Sequence, residues 1–468
     1  MRWEVGKSMM GWKHSATNAP FLITNLQKLR EEIIQEYPIR DILVLGMGGS
    51  ALGARVFLSL YQTDLLKAGV RVRVLDTTEP SSVQAILDDF NAAEGLVIVS
   101  SKSGSSIEPL CLAQIFFDRL SKVLGSEPAA AAHFISISDE ATPLSQRADI
   151  QGWRGIISTP PHVGGRFSAL TAFGLAPLVL AGIHPKETID AAQHMQFICL
   201  GQDKTSCPAK QLADSVFHNL RNGRDKLIIS YDEKSESFAR WLEQLVAESL
   251  GKQGLGLIPL PMPKLRAEKI LALNHPDIQN IELAELSPEL AGGDMLRWMF
   301  AVEILASYLQ LDPFDQPNVE AVKQSIRSSI GKDTQTSLST HLDQQHAAGR
   351  IAGIDALPSL VGPQNFIVLM AWTPHNDQAR ESLEEFAKDL ESHYGRPVVI
   401  AEGPSYLHAS GQLYKGGPNS GIFVTVIQET TDDLIIPRSD YSLRRLYRAA
   451  FKGDVEVMLS LGRIIIKL

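Results

Sequence analysis

Short apolar segments alternate with helical segments through the first 140 residues, and this alternation limits the folds that the chain can form. Buried strands are predicted at residues 41–45, 70–75, 95–99 and 133–137, and a helical pattern separates each strand from the next. Parallel strands joined by helices build a doubly wound sheet, which binds ligands at the carboxyl ends of its strands. The pattern therefore predicts an α/β fold with a ligand site at those ends.

The remaining chain predicts further domains, because 468 residues are too many for one typical core. A second α/β unit and a third block follow the first. We expect an N-terminal domain over residues 1–200, a second over 201–362 and a C-terminal α/β block over 363–468. Residues 331–362 are rich in Ser, Thr, Gln and Gly and are interpreted as a surface excursion or linker.

Composition excludes several classes of partner. A net charge of -9 disfavours nucleic acid and anionic membranes, although a small basic pocket for an anion stays compatible with it. No stretch reaches about 18 apolar residues, and the N-terminus lacks the apolar core of a signal peptide. The 3 cysteines show no CxxC spacing, so neither a disulfide framework nor a zinc site is indicated. We expect a cytoplasmic protein that binds neither membrane nor nucleic acid.

A serine-rich turn follows the third predicted strand. The sequence SSKSGSSIE at residues 100–108 carries five serines around Lys102 and opens into a helical pattern. Hydroxyls, backbone N–H groups and one ammonium would face a single small volume, which suits a phosphate. An ordinary helix N-cap needs only one hydroxyl, so the density of serines favours phosphate binding.

A glycine turn after the first strand admits a competing interpretation. The sequence GMGGSA at residues 46–51 satisfies G-x-G-x-x-A, and Asp76 ends the next strand, where a dinucleotide ribose is often bound. The same glycines could instead bring backbone close to a sugar phosphate or allow tight helix packing. A second hydroxyl-rich anion site on the third strand disfavours the dinucleotide, so NAD binding is the weaker hypothesis.

Four further residues are candidates whose types suit chemistry but which decide nothing singly. Arg166 follows two glycines and could stabilise negative charge on oxygen, or could be an ordinary loop arginine. Glu248 lies near a helix C-terminus, where a carboxylate is solvated, paired with Lys252 or retained as a base with a raised pKa. His408 and Lys323 would ordinarily be surface groups on a loop and a helix.

Together these motifs resemble the phosphoglucose isomerase family. The matching segments occur in the family order, namely GMGGSALG (46–53), SSKSGSSIE (100–108), GGRFS (164–168), AESLGK (247–252) and PFDQPNVEAVK (313–323). With LHASGQLYKGGPNSG at 407–421, the spelling looks most like the isomerase part of bifunctional transaldolase/glucose-6-phosphate isomerases. The resemblance implies two sugar-isomerase (SIS) type doubly wound parallel-sheet domains plus a C-terminal α/β block.

The resemblance also implies roles for individual residues. Glu248 would be the base that moves a proton between C1 and C2 of the sugar through a cis-enediol. Arg166 would stabilise the enediolate, and Lys323 would help to open the sugar ring. No metal or cofactor is implied. The substrate phosphate would be bound by Gly49, Ser50, Ser101, Lys102, Ser103 and Ser106.

The ring-opening histidine departs from the family pattern. The family carries it between the glutamate helix and PFDQP, where this chain has only His275 in an unrelated spelling. The spelling LH-x-x-GQ appears instead at His408, so we predict that this histidine has moved to the C-terminal block. In the family the histidine reaches across a dimer interface, and the resemblance implies a homodimer here.

The sequence thus predicts a cytoplasmic, cofactor-free isomerase that interconverts glucose 6-phosphate and fructose 6-phosphate. The alternatives are an isomerase of another phosphosugar such as mannose 6-phosphate, and a non-catalytic sugar-phosphate sensor. The joint presence of Glu248, Arg166 and Lys323 argues against the sensor. A dehydrogenase is the third hypothesis.

Overall fold

Three parallel sheets and the helices that cover them make up the protein. The computed structural model describes residues 9–201, 206–330 and 336–468, apart from the side chains of residues 319–321, 323, 328 and 329. The predicted α/β fold class with parallel sheets is confirmed.

The first sheet has the strand order β2-β1-β3-β4-β5, which is that of a doubly wound fold. Its strands are β1 (Asp41–Gly46), β2 (Arg71–Leu75), β3 (Gly95–Ser100), β4 (Phe134–Ser138) and β5 (Gly155–Ser158). The chain reverses its winding direction between β1 and β3, and the last pair of residues in their register is Gly46 and Ser100. The glycine turn and the serine turn therefore leave the sheet side by side, at the point where such folds bind ligands.

The second sheet has three strands in the order β7-β6-β8. They are β6 (Lys226–Tyr231), β7 (Ile258–Pro263) and β8 (Ile278–Glu282). The sequence IPLPMP does not predict a strand at β7, because proline is unusual in strands. Its prolines alternate with residues that can donate toward β6, as Ile258 N donates to the O atom of Asp225, the residue before β6, at 2.8 Å. The positions without an N–H group thus face the open edge, which proline tolerates.

The third sheet has the order β11-β10-β12-β13-β9. Its strands are β9 (Ala352–Gly353), β10 (Phe366–Trp372), β11 (Val398–Glu402), β12 (Gly421–Ile427) and β13 (Ile464–Lys467). A short 3-10 helix, Ser405–His408, follows β11 and carries His408 away from this sheet. β9 precedes residue 363 but pairs with β13, so a strand from the segment expected in the second domain completes the third sheet.

Nineteen α-helices connect and cover the strands of the described part of the chain. They are α1 (Ser15–Ile34), α2 (Gly49–Leu60), α3 (Gln62–Ala68), α4 (Pro80–Asp89), α5 (Ile107–Leu124), α6 (Glu127–Ala131), α7 (Pro143–Ile150), α8 (Ala172–Leu180), α9 (Lys186–Leu200), α10 (Pro208–Arg221), α11 (Glu236–Leu250), α12 (Lys264–Ala272), α13 (Pro288–Tyr308), α14 (Pro317–Ile330), α15 (Leu338–Ala347), α16 (Leu357–Leu360), α17 (Asp377–Tyr394), α18 (Gly411–Gly416) and α19 (Leu443–Ser460).

Two large hydrophobic cores cross the boundaries between the sheets. One joins the helices around the first sheet to α11 and α13 beside the second sheet. The other joins the opposite face of the first sheet to the third sheet and α19. Because each core is shared, loops from all three sheets are held at defined positions relative to one another. In the described part of the chain, every helix is too short or too polar to cross a membrane.

The interpretation of residues 331–362 as a surface excursion is wrong for residues 336–362. α15 begins at Leu338, capped by the Ser337 hydroxyl, which accepts a hydrogen bond from Thr340 N. Leu338 and Leu342 are buried in the core that contains α19. The sequence did not predict this helix, because the stretch is polar and contains few apolar residues. Two of those residues, Leu338 and Leu342, nevertheless lie one turn apart on the same face of the helix. Residues 331–335 lie outside the described residues.

This correction predicts that Leu342→Ala destabilises the protein. Leu342 is 2% exposed, so truncation loses buried apolar contacts and leaves a cavity that costs about 2–4 kcal/mol. Gln344→Ala on the exposed face of the same helix is the control and should change stability by less than about 0.5 kcal/mol. Urea unfolding followed by circular dichroism measures both. Equal, small effects would mean that α15 is not part of the core.

Candidate active site

A buried ion pair between Glu248 and Arg166 lies at the centre of the site. Arg166 Nη1 donates to Glu248 Oε2 at 3.0 Å, and both residues are only 3% exposed. Burial raises the pKa of Glu248, while the positive charges of Arg166 and His408 oppose the rise. The carboxylate predicted as a base is therefore paired with Arg166, and is neither solvated nor paired with Lys252. Its raised pKa means that it binds a proton more readily than a glutamate in water does.

Backbone carbonyls hold the guanidinium of Arg166 from its other side. Arg166 Nη2 donates to Phe314 O at 3.1 Å and to Asp315 O at 3.3 Å, within the PFDQP segment. The next residue of the same turn, Phe167, packs its ring against that of Phe314, with the ring centroids 5.2 Å apart. Three of the predicted motifs, GGRFS, AESLGK and PFDQP, thus meet at one guanidinium.

The glycine turn lets two other loops approach its backbone. A Cβ atom on Gly49 would lie 2.3 Å from Gly165 O, and one on Gly48 would lie 2.3 Å from His408 O. Gly48 also has a φ of 53°, which side-chain-bearing residues rarely adopt. These glycines therefore serve the close packing of the Arg166 turn and the His408 turn against β1.

His408 lies in the same site, within the same chain. His408 Nε2 is 2.9 Å from Glu108 Oε1, a hydrogen-bond distance, and Glu108 is 3% exposed in the first turn of α5. Gln244 Nε2 donates both to Glu248 Oε2 at 3.2 Å and to His408 O at 2.9 Å. One amide thus links the predicted base to the turn that carries the predicted histidine.

The serine turn presents hydroxyls that the protein leaves unused. Ser101 Oγ is buried and has no hydrogen-bond partner among the described residues. Ser106 is the N-cap of α5, yet its side chain makes no capping hydrogen bond. The Ser100 hydroxyl, by contrast, donates to Ser50 O at 2.8 Å and ties the serine turn to the glycine turn. The Ser105 hydroxyl donates to that of Ser103 at 3.0 Å. A helix N-terminus with unpaired hydroxyls around it is suited to an anion.

Lys102 differs from the expectation that its ammonium faces the substrate phosphate. Its Nζ lies 2.7 Å from Oδ1 and 2.5 Å from Oδ2 of Asp139. Thr159 Oγ1 also donates to Asp139, at 2.7 Å. The ammonium therefore anchors the serine turn to the segment after β4, and the turn can offer an anion its hydroxyls and N–H groups without that charge.

Lys252 is a second buried cation near Arg166, and both contact Asp315. Burial, aided by the positive charge of Arg166, lowers the pKa of Lys252 to about 8. Its ammonium contacts Asp315, the residue whose carbonyl accepts from Arg166. Lys252 is thus paired with Asp315 rather than with Glu248, which was one of the alternatives from spacing.

Of the remaining predicted groups, one lies away from the site and the other has a side chain outside the described residues. His275 precedes β8, and its Nε2 lies 2.6 Å from Gly395 O, at the amino end of the second sheet. Lys323 lies on α14, directly after the PFDQP segment, but its side chain lies outside the described residues. Of the two candidate histidines, the chain brings His408 to Glu248 and leaves His275 elsewhere.

Asp76, the residue that a dinucleotide ribose would need, is occupied by protein. Its Oδ1 accepts from Arg55 Nη2 at 2.7 Å, and its Oδ2 accepts from Ser405 Oγ at 3.1 Å. Asp76 therefore fastens the histidine-bearing turn to the first sheet. An Asp76 carboxylate that both side chains occupy does not support the binding of a dinucleotide ribose, on which the dehydrogenase hypothesis relied.

Sequence reasoning missed Glu108 and Gln244 as members of the site. Glu108 ends the very motif that predicted phosphate binding, and Gln244 lies one helical turn before Glu248. The spacing of Gln244 from Glu248 could have placed both on one face of α11. The partner of Glu108 is 300 residues away, and no local pattern indicates such a contact.

The fold is shared with solved structures. A crystal structure of a hypothetical protein from Thermus thermophilus has a TM-score of 0.62 at 24% identity and covers 69% of this chain and 91% of that one. A glucose-6-phosphate isomerase from Chlamydia trachomatis has a TM-score of 0.53 at 16% identity and covers 80% of this chain and 76% of that one. By fold, this is an α/β protein of the kind that includes that isomerase.

Part of the sequence matches a protein-family model. Residues 34–255 match the model described as "Phosphoglucose isomerase". A "Probable glucose-6-phosphate isomerase" of Methanococcus maripaludis is 32% identical over 251 residues, which are 50% of this chain and 53% of that protein. A Clostridium tetani glucose-6-phosphate isomerase is 25% identical over 400 residues, 70% of this chain and 88% of that protein. The resemblance to the phosphoglucose isomerase family is thus confirmed, whereas that to transaldolase fusions stays a prediction.

The unused hydroxyls predict which residues bind an anion. Ser101→Ala should weaken binding of inorganic phosphate by roughly tenfold or more, since it removes a donor to a charged group. Lys102→Met should weaken binding less than Ser101→Ala does, because Asp139 already holds the ammonium. Isothermal titration calorimetry with phosphate compares them.

Ser136→Ala supplies the matched control, because this buried hydroxyl on β4 also has no partner among the described residues. Its phosphate affinity should equal that of the wild type. If Ser101→Ala bound phosphate as well as Ser136→Ala does, the serine turn would not be the anion site.

Proposed function

We propose that the protein is an aldose–ketose isomerase that interconverts glucose 6-phosphate and fructose 6-phosphate. The observation that carries the proposal is the buried Glu248–Arg166 pair, which lies beside the His408–Glu108 contact. The glucose-6-phosphate isomerase names of the relatives support the same substrate, although the chain spans about half the length, 53%, of the Methanococcus maripaludis relative.

The phosphate of the substrate binds at the N-terminus of α5. Ser101, Ser103 and Ser106 donate hydroxyls, and the N–H groups of the helix start face the same volume. Gly49 and Ser50 contribute from the adjoining glycine turn, at the end of β1. Because the phosphate is remote from the reacting carbons, its binding energy positions C1 and C2 without taking part in the proton transfer.

Ring opening uses His408. A carboxylate only accepts hydrogen bonds, so Glu108 orients the imidazole by accepting from its Nε2–H group. The histidine then moves a proton between the sugar's hydroxyl and its ring oxygen, which breaks the C1–O5 bond of the pyranose. The role of Lys323 beside the ring oxygen rests on the family resemblance alone.

Glu248 then carries the proton between the two carbons. It removes the proton from C2 of the open-chain aldose, the C–H electron pair forms the enediolate double bond, and the carbonyl pair moves onto O1. Arg166 loses its ion-pair partner when Glu248 becomes protonated, at the moment when negative charge develops on the substrate oxygen. Return of the proton to C1, with transfer of the O2 proton to O1, gives the ketose.

The protein is proposed to be a cytoplasmic homodimer, in keeping with the family. Its net charge of -9 suits a small phosphosugar partner rather than nucleic acid. His408 reaches Glu108 within one chain, so the histidine does not have to come from a second subunit as it does in the family.

Replacement of the base tests the activity directly. Glu248→Gln should lower kcat by about 10²–10⁴-fold while KM changes only a few-fold, because general-base removal affects the transition state and not phosphate binding. His408→Ala should lower turnover of closed-ring substrate. Both are measured as fructose 6-phosphate to glucose 6-phosphate conversion by NMR, with mannose 6-phosphate run in parallel. A wild-type protein that binds phosphate but converts neither sugar would favour the sensor.

The raised pKa of Glu248 predicts the acid limb of the pH profile. Glu248 must be ionised to accept a proton, so kcat/KM should fall as the pH is lowered. The midpoint of this fall should lie above the ordinary glutamate pKa of about 4.3. Arg166→Met removes the charge that opposes the shift and should move this limb further upward. Arg166→Lys retains a positive charge and should move it less. Identical acid limbs in all three proteins would contradict the assignment of Glu248 as base.

A further inference from the structure

Three buried polar side chains lie beneath the turn that carries His408. Asp454 on α19 is fully buried, and its Oδ2 accepts a 2.5 Å hydrogen bond from the hydroxyl of Tyr406. Its Oδ1 lies 2.5 Å from the ammonium of Lys415 on α18. Tyr406 and Lys415 are themselves only 4% and 3% exposed. One carboxylate thus joins two points of the segment that contains the histidine.

These two points flank His408 closely in the chain. Tyr406 belongs to the same 3-10 helix, Ser405–His408, and precedes the histidine by two residues. Lys415 follows it by seven residues and also donates to Gly411 O at 3.2 Å. Asp454 is therefore attached to both sides of the turn, while its own helix α19 belongs to a core shared with the third sheet.

We propose that Asp454 is a positioning residue for His408, which it holds against Glu108 through Tyr406 and Lys415. The proposal rests on the function proposed above. Burying a charged pair gives up hydration, so such a pair adds little stability over an apolar contact of the same size. What it supplies is one preferred position for the turn, since the carboxylate must meet both partners.

The position matters because His408 comes from the third sheet, unlike the other groups of the site. Glu108 and Arg166 lie on elements that follow strands of the first sheet, and Glu248 lies on α11, which connects two strands of the second sheet. An error of about 1 Å in a reacting group can cost about 10²-fold in rate. A buried hydrogen bond two residues from the imidazole limits such an error.

Tyr406→Phe tests the proposal, because it removes only the hydroxyl and keeps the ring. We expect kcat for closed-ring substrate to fall about 10-fold or more, with KM changed less than about twofold. Tyr447→Phe is the matched control: this tyrosine is also buried and packs on Trp372, but its hydroxyl has no hydrogen-bond partner among the described residues. The control should retain wild-type kinetics.

A double-mutant cycle separates positioning from general loss of structure. If Tyr406 acts through His408, Tyr406→Phe should cost little in the His408→Ala background, because the group that it positions is already absent. An equal loss in both backgrounds would overturn the proposal, and so would unchanged kinetics in Tyr406→Phe alone.

A spectroscopic readout keeps this test separate from the proposed isomerase activity. In protein labelled with ¹⁵N-histidine, the His408 ring signal is assigned by its loss in His408→Ala. We expect Tyr406→Phe to move this signal and Tyr447→Phe to leave it in place, whether or not the protein turns over substrate. An unmoved signal would overturn the positioning role, whereas a moved signal in a protein without isomerase activity would overturn only the proposed function.

Discussion

The buried ion pair between Glu248 and Arg166 is the constraint around which the site is built. Neither charge tolerates burial without the other, since removing either partner would leave an uncompensated charge. The pair therefore requires the end of α11 and the GGRFS turn to meet, and the remaining guanidinium donors require the carbonyls of Phe314 and Asp315. Lys252 adds a second cation to this cluster, and its lowered pKa of about 8 reflects how little water reaches it. The motifs are distant in sequence but are joined by one set of charges.

The loops can converge because the first sheet offers a point of close backbone approach. The order β2-β1-β3 places the glycine turn beside the serine turn, and the glycines leave room for the Arg166 turn and for His408. A dinucleotide-binding protein uses the same freedom to admit a pyrophosphate. Here protein backbone fills that space beside Gly48 and Gly49, and the proposed anion site lies one strand along, at the hydroxyls after β3. A glycine fingerprint thus identifies a backbone contact but not what makes the contact.

The sequence predicted four of the five strands of the first sheet and singled out the serine turn, Glu248, Arg166 and His408, because each lies in a local pattern that chemistry or periodicity explains. It did not predict contacts that tertiary structure alone creates. Lys102 contacts Asp139, and Glu108 meets a histidine 300 residues away, so the contacts of these side chains could not be inferred from their neighbours in the sequence. The helix α15 and the proline-rich strand β7 were missed because their compositions are those of loops. In both cases packing overrides composition: Leu342 has a core to enter, and β7 has a free edge for its prolines.

The position of His408 depends on contacts with elements around two different sheets. The match to the family model ends at residue 255, and the histidine lies far beyond it, after a strand of the third sheet. The turn reaches the first sheet through Ser405, which donates to Asp76, and it is fixed from below by Tyr406 on Asp454. Both carboxylates are buried and belong to elements around different sheets, so the turn is held from two directions. A histidine held in this way reaches Glu108 within its own chain.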